Sequence, residues 1–343
     1  MTLTTMRLQW MDFLRGLAVL LVVVLHANEH GGVSVGWWTD ANQYLSPFRM
    51  PLLMFLSGML LYRSLAKPLP VYFWGKTVTI LWPLVLWLSL YGLLARDGLG
   101  LPMDIWTFLV SGDYLWFLMA LLSCYVLAAG FKPLAARLPE THHWGFLVVF
   151  VILVLLCVLP STSGALPVQT LWHGSFFFLG AWAQRFMRRW VEIPWMAFLP
   201  LLALVTVFSY LGMQKNELRL GTPGAAALSV LGIAVFIWLA PRIPDSAFTR
   251  FVAWCGQGSI VVYVAHFPVI ILLRDYVLPQ TELSPAAQLI LLTTSALGIS
   301  VLFVWVRPWT PWLYAMPWNR PMGFLSHSAR RSKAGRIRGP RQP

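Results

Sequence analysis

Charge is what this sequence has least of. Only 11% of its 343 residues are Asp, Glu, Lys or Arg, against roughly a quarter in an ordinary soluble domain. With 58% of positions apolar, too little polar surface remains to cover a water-soluble protein, which excludes a soluble globular enzyme. Cysteine is scarce too. Cys124, Cys157 and Cys255 lie within or at the ends of apolar runs, so neither a disulfide framework nor a metal-binding cysteine spacing follows. A polar linker is also missing, and the natural unit is one continuous bundle.

What is present is apolar sequence in lengths that fit a bilayer, since a crossing needs roughly 20 such residues. Ten stretches qualify or nearly do: 11–30, 47–65, 72–95, 114–130, 143–160, 170–186, 195–212, 224–240, 257–273 and 286–307. A partly inserted segment around Ile105 to Val110 is expected before the fourth. The first is not a cleavable signal peptide, because His26, Asn28 and Glu29 stand where small cleavage-site residues would. The expected fold is all-α: a polytopic membrane bundle of about ten helices over residues 8–318, followed by a basic, disordered tail over 319–343.

Basic residues orient the bundle. With both termini cytoplasmic, twenty lysines and arginines fall inside, and only Arg49, Arg96, Lys215, Arg219 and Arg274 fall outside, as the positive-inside rule requires. The net charge of +13 is spread over inner loops and tail, which suits anionic lipid head groups and gives no focused face for nucleic acid. Trp37, Trp38, Trp106, Trp309 and Trp312 sit near span ends as interfacial anchors.

Ionisable groups inside spans are costly and mark function. Asp12, Arg15 and His26 share the first span. At 100° and 1.5 Å per residue, Arg15 and His26 are about 20° apart around a helix and about 16 Å apart along it. They therefore occupy one stripe at two levels, with Asp12 one turn from Arg15 and able to pair with it. Arg49 opens the second span at the level of His26, where it can bind an acidic acceptor, stabilise an oxyanion or contact head groups. Ser57-Gly58 lets another backbone approach closely. Lys76 opens the third span from the cytoplasmic side, placed for phosphates or simply for the interface. His173 in the sixth span and His266 in the ninth each read as packing hydrogen-bond donors or as chemistry, and Tyr263 shares a helix face with His266.

At these residues the sequence resembles the acyltransferase-3 family of bacterial membrane O-acyltransferases. The resemblance is carried by Asp12-x-x-Arg15-Gly16 with His26 beyond it, Phe48-Arg-Met-Pro-Leu-Leu-Met-Phe-Leu-Ser-Gly58, Tyr114-Leu-Trp116-Phe-Leu, and Gly258-Ser259 through Tyr263 to His266. It implies a ten-helix fold with cytoplasmic ends, in the bacterial inner membrane. It also implies transfer of an acyl group from cytoplasmic acyl-CoA to a hydroxyl, usually of an envelope carbohydrate or glycolipid. Arg15 would serve the donor and His26 the transfer. Acyl-CoA would be a substrate, with no permanently bound cofactor and no metal. Many relatives carry two arginines at the start of the third span; here Lys76 and Pro83 remain, with Thr77 and Thr79 in the region of the second arginine.

The expected mechanism has His26 as general base on the acceptor hydroxyl, with an acyl-histidine as the variant. Arg15 and Lys76 hold the donor, Arg49 serves the acceptor or the oxyanion, and Asp12, Ser57, Trp116, Tyr263 and His266 support them. A transporter or flippase for an envelope precursor and a membrane assembly factor are the readings from other classes.

Overall fold

In a computed structural model, the structure describes residues 9–33, 35–96, 114–137, 141–159, 168–214 and 221–317. The segment around Ile105 to Val110, Trp106 and the basic tail lie outside the described residues. The helices run in chain order as α1 (Gln9–Glu29), α2 (Gly36–Leu45), α3 (Arg49–Gly58), α4 (Leu61–Leu65), α5 (Leu69–Lys76), α6 (Trp82–Arg96), α7 (Trp116–Ala129) and α8 (Phe131–Arg137). They continue as α9 (His142–Val158), α10 (Val168–Ala183), α11 (Met187–Val191), α12 (Trp195–Gln214), α13 (Pro223–Leu239), α14 (Ala247–Gln257), α15 (Ser259–Leu272) and α16 (Pro285–Val306). Among the described residues there is no strand.

Among the described residues, eight helical runs are long and apolar enough to cross a membrane. Helices also stand at the fifth and sixth expected spans, but α9 has 17 residues and α10 has 16. The chain is an all-α, multi-pass membrane protein. Apolarity all round hides which helices are central, and burial reveals it. The most apolar window of α1 is 61% buried and that of 36–65 is 72%, whereas only 22% of the α12 window is buried. The centre is therefore built around α1, α3, α10 and α15, and α12 turns most of its surface outward to lipid.

Two pairs of central helices cross with backbones in contact. A Cβ on Gly16 of α1 would lie 1.9 Å from the Val252 carbonyl oxygen of α14, and one on Gly256 of α14 would lie 1.8 Å from the Asp12 oxygen. The pairing of α3 with α10 repeats the device: Gly58 faces the Phe177 oxygen at 1.9 Å and Gly180 faces the Phe55 oxygen at 2.1 Å. Without a hydrophobic drive between helices in lipid, such close approach is what holds them together. Gly58→Ala is expected to cost about 1–3 kcal/mol through overpacking, seen as a lower thermal unfolding midpoint in detergent. Gly75→Ala, with open space around its Cβ, should leave the midpoint unchanged; equal shifts would contradict the crossing.

Prolines explain the irregular turns. Pro83 cannot donate to the Thr79 carbonyl, and just before it the helix widens into a π turn over Thr77–Leu81, a recurrent way of absorbing such a defect. Pro268 likewise leaves the Val264 carbonyl without its helical donor. Two tyrosine hydroxyls take that place, Tyr91 at 3.2 Å and Tyr114, so a buried carbonyl that lipid could not satisfy ties α6 and the start of α7 to α15. The second span begins earlier than its apolar run suggests. α2 precedes it, and the break at Ser46–Phe48 is lined by serines: Ser209 donates to the Tyr44 carbonyl at 3.0 Å and Ser229 to the Pro47 carbonyl at 2.6 Å.

Candidate active site

His26 stands in the last turn and a half of α1, 9% exposed. Its Nδ1 lies 3.0 Å from Nε2 of His266 on α15, and Nδ1 of His266 lies 2.9 Å from the Val262 carbonyl oxygen. These two contacts decide the tautomers. A carbonyl can only accept, so the His266 Nδ1 carries a proton and donates it. The Nε2 of neutral His266 is then an acceptor, and His26 Nδ1–H donates to it. The remaining nitrogen of His26, Nε2, is left with its lone pair.

Beside His26 is a cavity of about 310 Å³ whose walls come from α1, the Ser46–Met50 segment, α7, α10, α13 and α15. Arg49, 3% exposed, contributes its guanidinium, with two N–H groups held by Asn42 of α2: Nη1 donates to Oδ1 at 2.7 Å and Nη2 to the carbonyl oxygen at 2.8 Å. An arginine has five donors, so this clamp orients the group without using it up. On α10, Gln169 and His173 are one turn apart and both line the cavity. Gln169 Oε1 and His173 Nδ1 are buried without a hydrogen-bond partner, an acceptor and a ring nitrogen ready for a polar ligand.

Trp116 and Tyr263 form another wall. Trp116 packs on the His173 ring at 4.9 Å between centroids, and the Tyr263 hydroxyl accepts from the Phe117 N–H at 3.3 Å. The residue before Trp116 has the left-handed φ of +61°, rare for a bulky side chain. That turn sends Tyr114 to the Val264 carbonyl and Trp116 to the cavity. Strained backbone of this kind clusters at functional sites.

Neither Arg15 nor Lys76 lines this cavity. Arg15 Nη2 donates to the Leu56 carbonyl of α3 at 3.1 Å and Nη1 lies 3.7 Å from the Asp12 carboxylate. Lys76 Nζ sits 3.4 Å above the Tyr125 ring centroid and donates to Ser64 Oγ at 3.2 Å. Arg15 meets α3 through Leu56, whereas His26 meets α15 through His266, and the cavity's lining from this part of the chain runs from Val22 to His30 and does not include Arg15. Ser57 bonds the Leu53 carbonyl of its own helix at 2.9 Å and does not line the cavity.

A family model described as an acyltransferase domain, acyltransferase-3, matches residues 8–305. The chain belongs to the acyltransferase-3 family. It is thus a membrane acyltransferase, and the match spans both Arg15 and the residues of the His26 cavity. No curated protein and no solved structure matches the chain. For an acyltransferase-3 protein, the cavity is the place to seek the transfer chemistry, since it holds an oriented imidazole, a clamped guanidinium and unpartnered polar atoms. Gln169, Glu29 and His30 are lining residues that the sequence reading did not single out. Gln169 sits four residues before His173, a spacing that could have revealed it.

Proposed function

We propose that the protein is an acyl-CoA-dependent O-acyltransferase of the bacterial cell membrane, acting on a hydroxyl of an envelope carbohydrate or glycolipid. The observation that carries this reading is the Val262–His266–His26 chain of hydrogen bonds, which leaves His26 Nε2 as a base at a cavity with unpartnered polar atoms. The acceptor hydroxyl gives its proton to that nitrogen as its oxygen attacks the thioester carbonyl. The imidazolium so formed keeps its Nδ1–H bond to His266. The tetrahedral oxyanion is met by Arg49; the C–S bond then breaks, an ester C–O bond remains, and the proton passes to the departing thiolate sulfur. Gln169 and His173 hold the acceptor.

On this reading, Arg15 and Lys76 face the cytoplasm and meet the donor's phosphates, with His26 toward the outer side. The pantetheine arm spans the roughly 16 Å between the two levels, which requires the packed apolar layer between them to open. The break at Ser46–Phe48 beside the cavity also favours a second reading, since transporters use interrupted helices to line a pathway.

The two readings part on covalent change. Membranes containing the protein, supplied with acyl-labelled acyl-CoA, are expected to accumulate label in a carbohydrate or glycolipid fraction from which mild alkali releases it, as an ester requires. Movement of an unmodified cargo across the membrane, with no alkali-labile label, would sink the enzyme reading.

A further inference from the structure

The last turn of α1 and the residue that follows it read His26-Ala-Asn-Glu29-His30, with the His30 N–H still bonded to the His26 carbonyl at 2.9 Å, placing two imidazoles four residues apart and a carboxylate three residues from the first. Spacings of four and three keep side chains on one face of a helix. In the structure, one ligand-type atom from each of His26, Glu29 and His30 lies within 4.8 Å of the other two, and all three residues line the cavity. We infer that His26, Glu29 and His30 form a zinc site, and that the bound ion switches off acyl transfer by occupying the nitrogen that serves as the base.

The donor set fits this ion. Two histidines and one glutamate are a recurrent three-ligand zinc set that leaves a fourth position for water or substrate, and imidazole with carboxylate suits zinc better than calcium or magnesium. Ligand atoms around a tetrahedral zinc stand about 3.4 Å apart, so the three groups must draw together by side-chain rotation and not by helix movement. The surroundings are those of a ligating histidine. His26 has Nδ1 engaged by His266 and Nε2 available, and His266 is itself anchored on the Val262 carbonyl. Such an outer partner fixes the ring and raises its basicity toward a metal. Arg274 donates to the His30 carbonyl at 3.1 Å and holds the helix end that carries the other two ligands. The Glu29 side is exposed while His26 is buried, which gives the ion a way in.

Arg49 lines the same cavity and opposes a cation, and Glu29 supplies the compensating charge. A site of this composition favours a reversible inhibitory ion over a permanent one. The switching part of the proposal rests on the role given to His26 above; the binding part does not.

Zinc titrations of the purified, chelator-treated protein in nanodiscs test both parts. One ion per chain is expected. Affinity should fall by more than about tenfold for His26→Ala, Glu29→Gln and His30→Ala, and by about 10–100-fold for His266→Phe, which lacks the outer partner. His142→Ala should bind as the parent does. In the transfer assay, zinc should inhibit the parent, and His30→Ala should need a higher zinc concentration for the same fractional loss of its own metal-free rate. No binding, or binding unchanged when all three ligands are replaced, would overturn the site. Binding without inhibition would overturn the switch. If the metal-free parent transfers nothing while still binding one zinc through these residues, the enzyme reading fails and the metal site stands.

Discussion

Replacing His26 with alanine is expected to lower acyl transfer by about 10²–10⁴-fold, the usual contribution of a positioned general base, while the protein remains folded and inserted. The fold should survive because the substitution removes one hydrogen bond, to His266, and trims a side chain beside an existing cavity. The glycine crossings that hold α1 to α14 and α3 to α10 are untouched. Size-exclusion behaviour and the thermal midpoint in detergent check folding, and labelled acyl-CoA checks transfer. A folded His26→Ala protein transferring at the parental rate would remove this residue from the chemistry.

His266 acts through His26, so its variants should separate by what they offer His26 Nδ1–H. Phenylalanine fills the space and accepts nothing, leaving His26 free to turn or to take the other tautomer. A loss of about 10²-fold or more in kcat is expected, since losing the orienting partner of a catalytic histidine can cost as much as 10⁴. KM for the acyl donor should hardly change, because the proposed donor contacts, Arg15 and Lys76, do not line the cavity. Glutamine offers an amide oxygen to Nδ1–H and should recover much of the loss. If glutamine and phenylalanine are equally damaging, His266 contributes packing and not orientation.

The apolar runs, eight of which stand among the described residues as helices long enough to cross a membrane, and the placing of Arg15 and His26 on one helix were legible because each follows from the pattern along a single run. Asp12 pairs with Arg15 for the same reason. Contacts between helices were not legible in this way. Tyr263 and His266 could be placed on one face, but nothing in the spacing shows that His266 meets a residue 240 positions away. Nor does it show that Asn42 clamps Arg49, since Asn42 lies on α2, a helix whose Trp37-Trp38-Thr-Asp-Ala-Asn sequence is too polar to read as part of a span. The π turn before Pro83 and the tyrosines on the Val264 carbonyl have visible causes in the prolines, yet which hydroxyls answer a freed carbonyl is a tertiary matter. Gln169 lies just outside the apolar run that begins at residue 170, and only the fold places it in the cavity wall.

The reciprocal glycines carry a mechanical consequence. Helix pairs joined backbone to backbone behave as stiff beams, one made of α1 with α14 and the other of α3 with α10. On the proposed reading, a long substrate arm would enter by parting the beams along the seam between α1 and α3 more readily than by bending either. Arg15 lies across that seam, latched to the Leu56 carbonyl. If the donor's phosphates meet Arg15 as proposed, they would draw the guanidinium off its latch, and the contact that receives the donor would also unlock its passage.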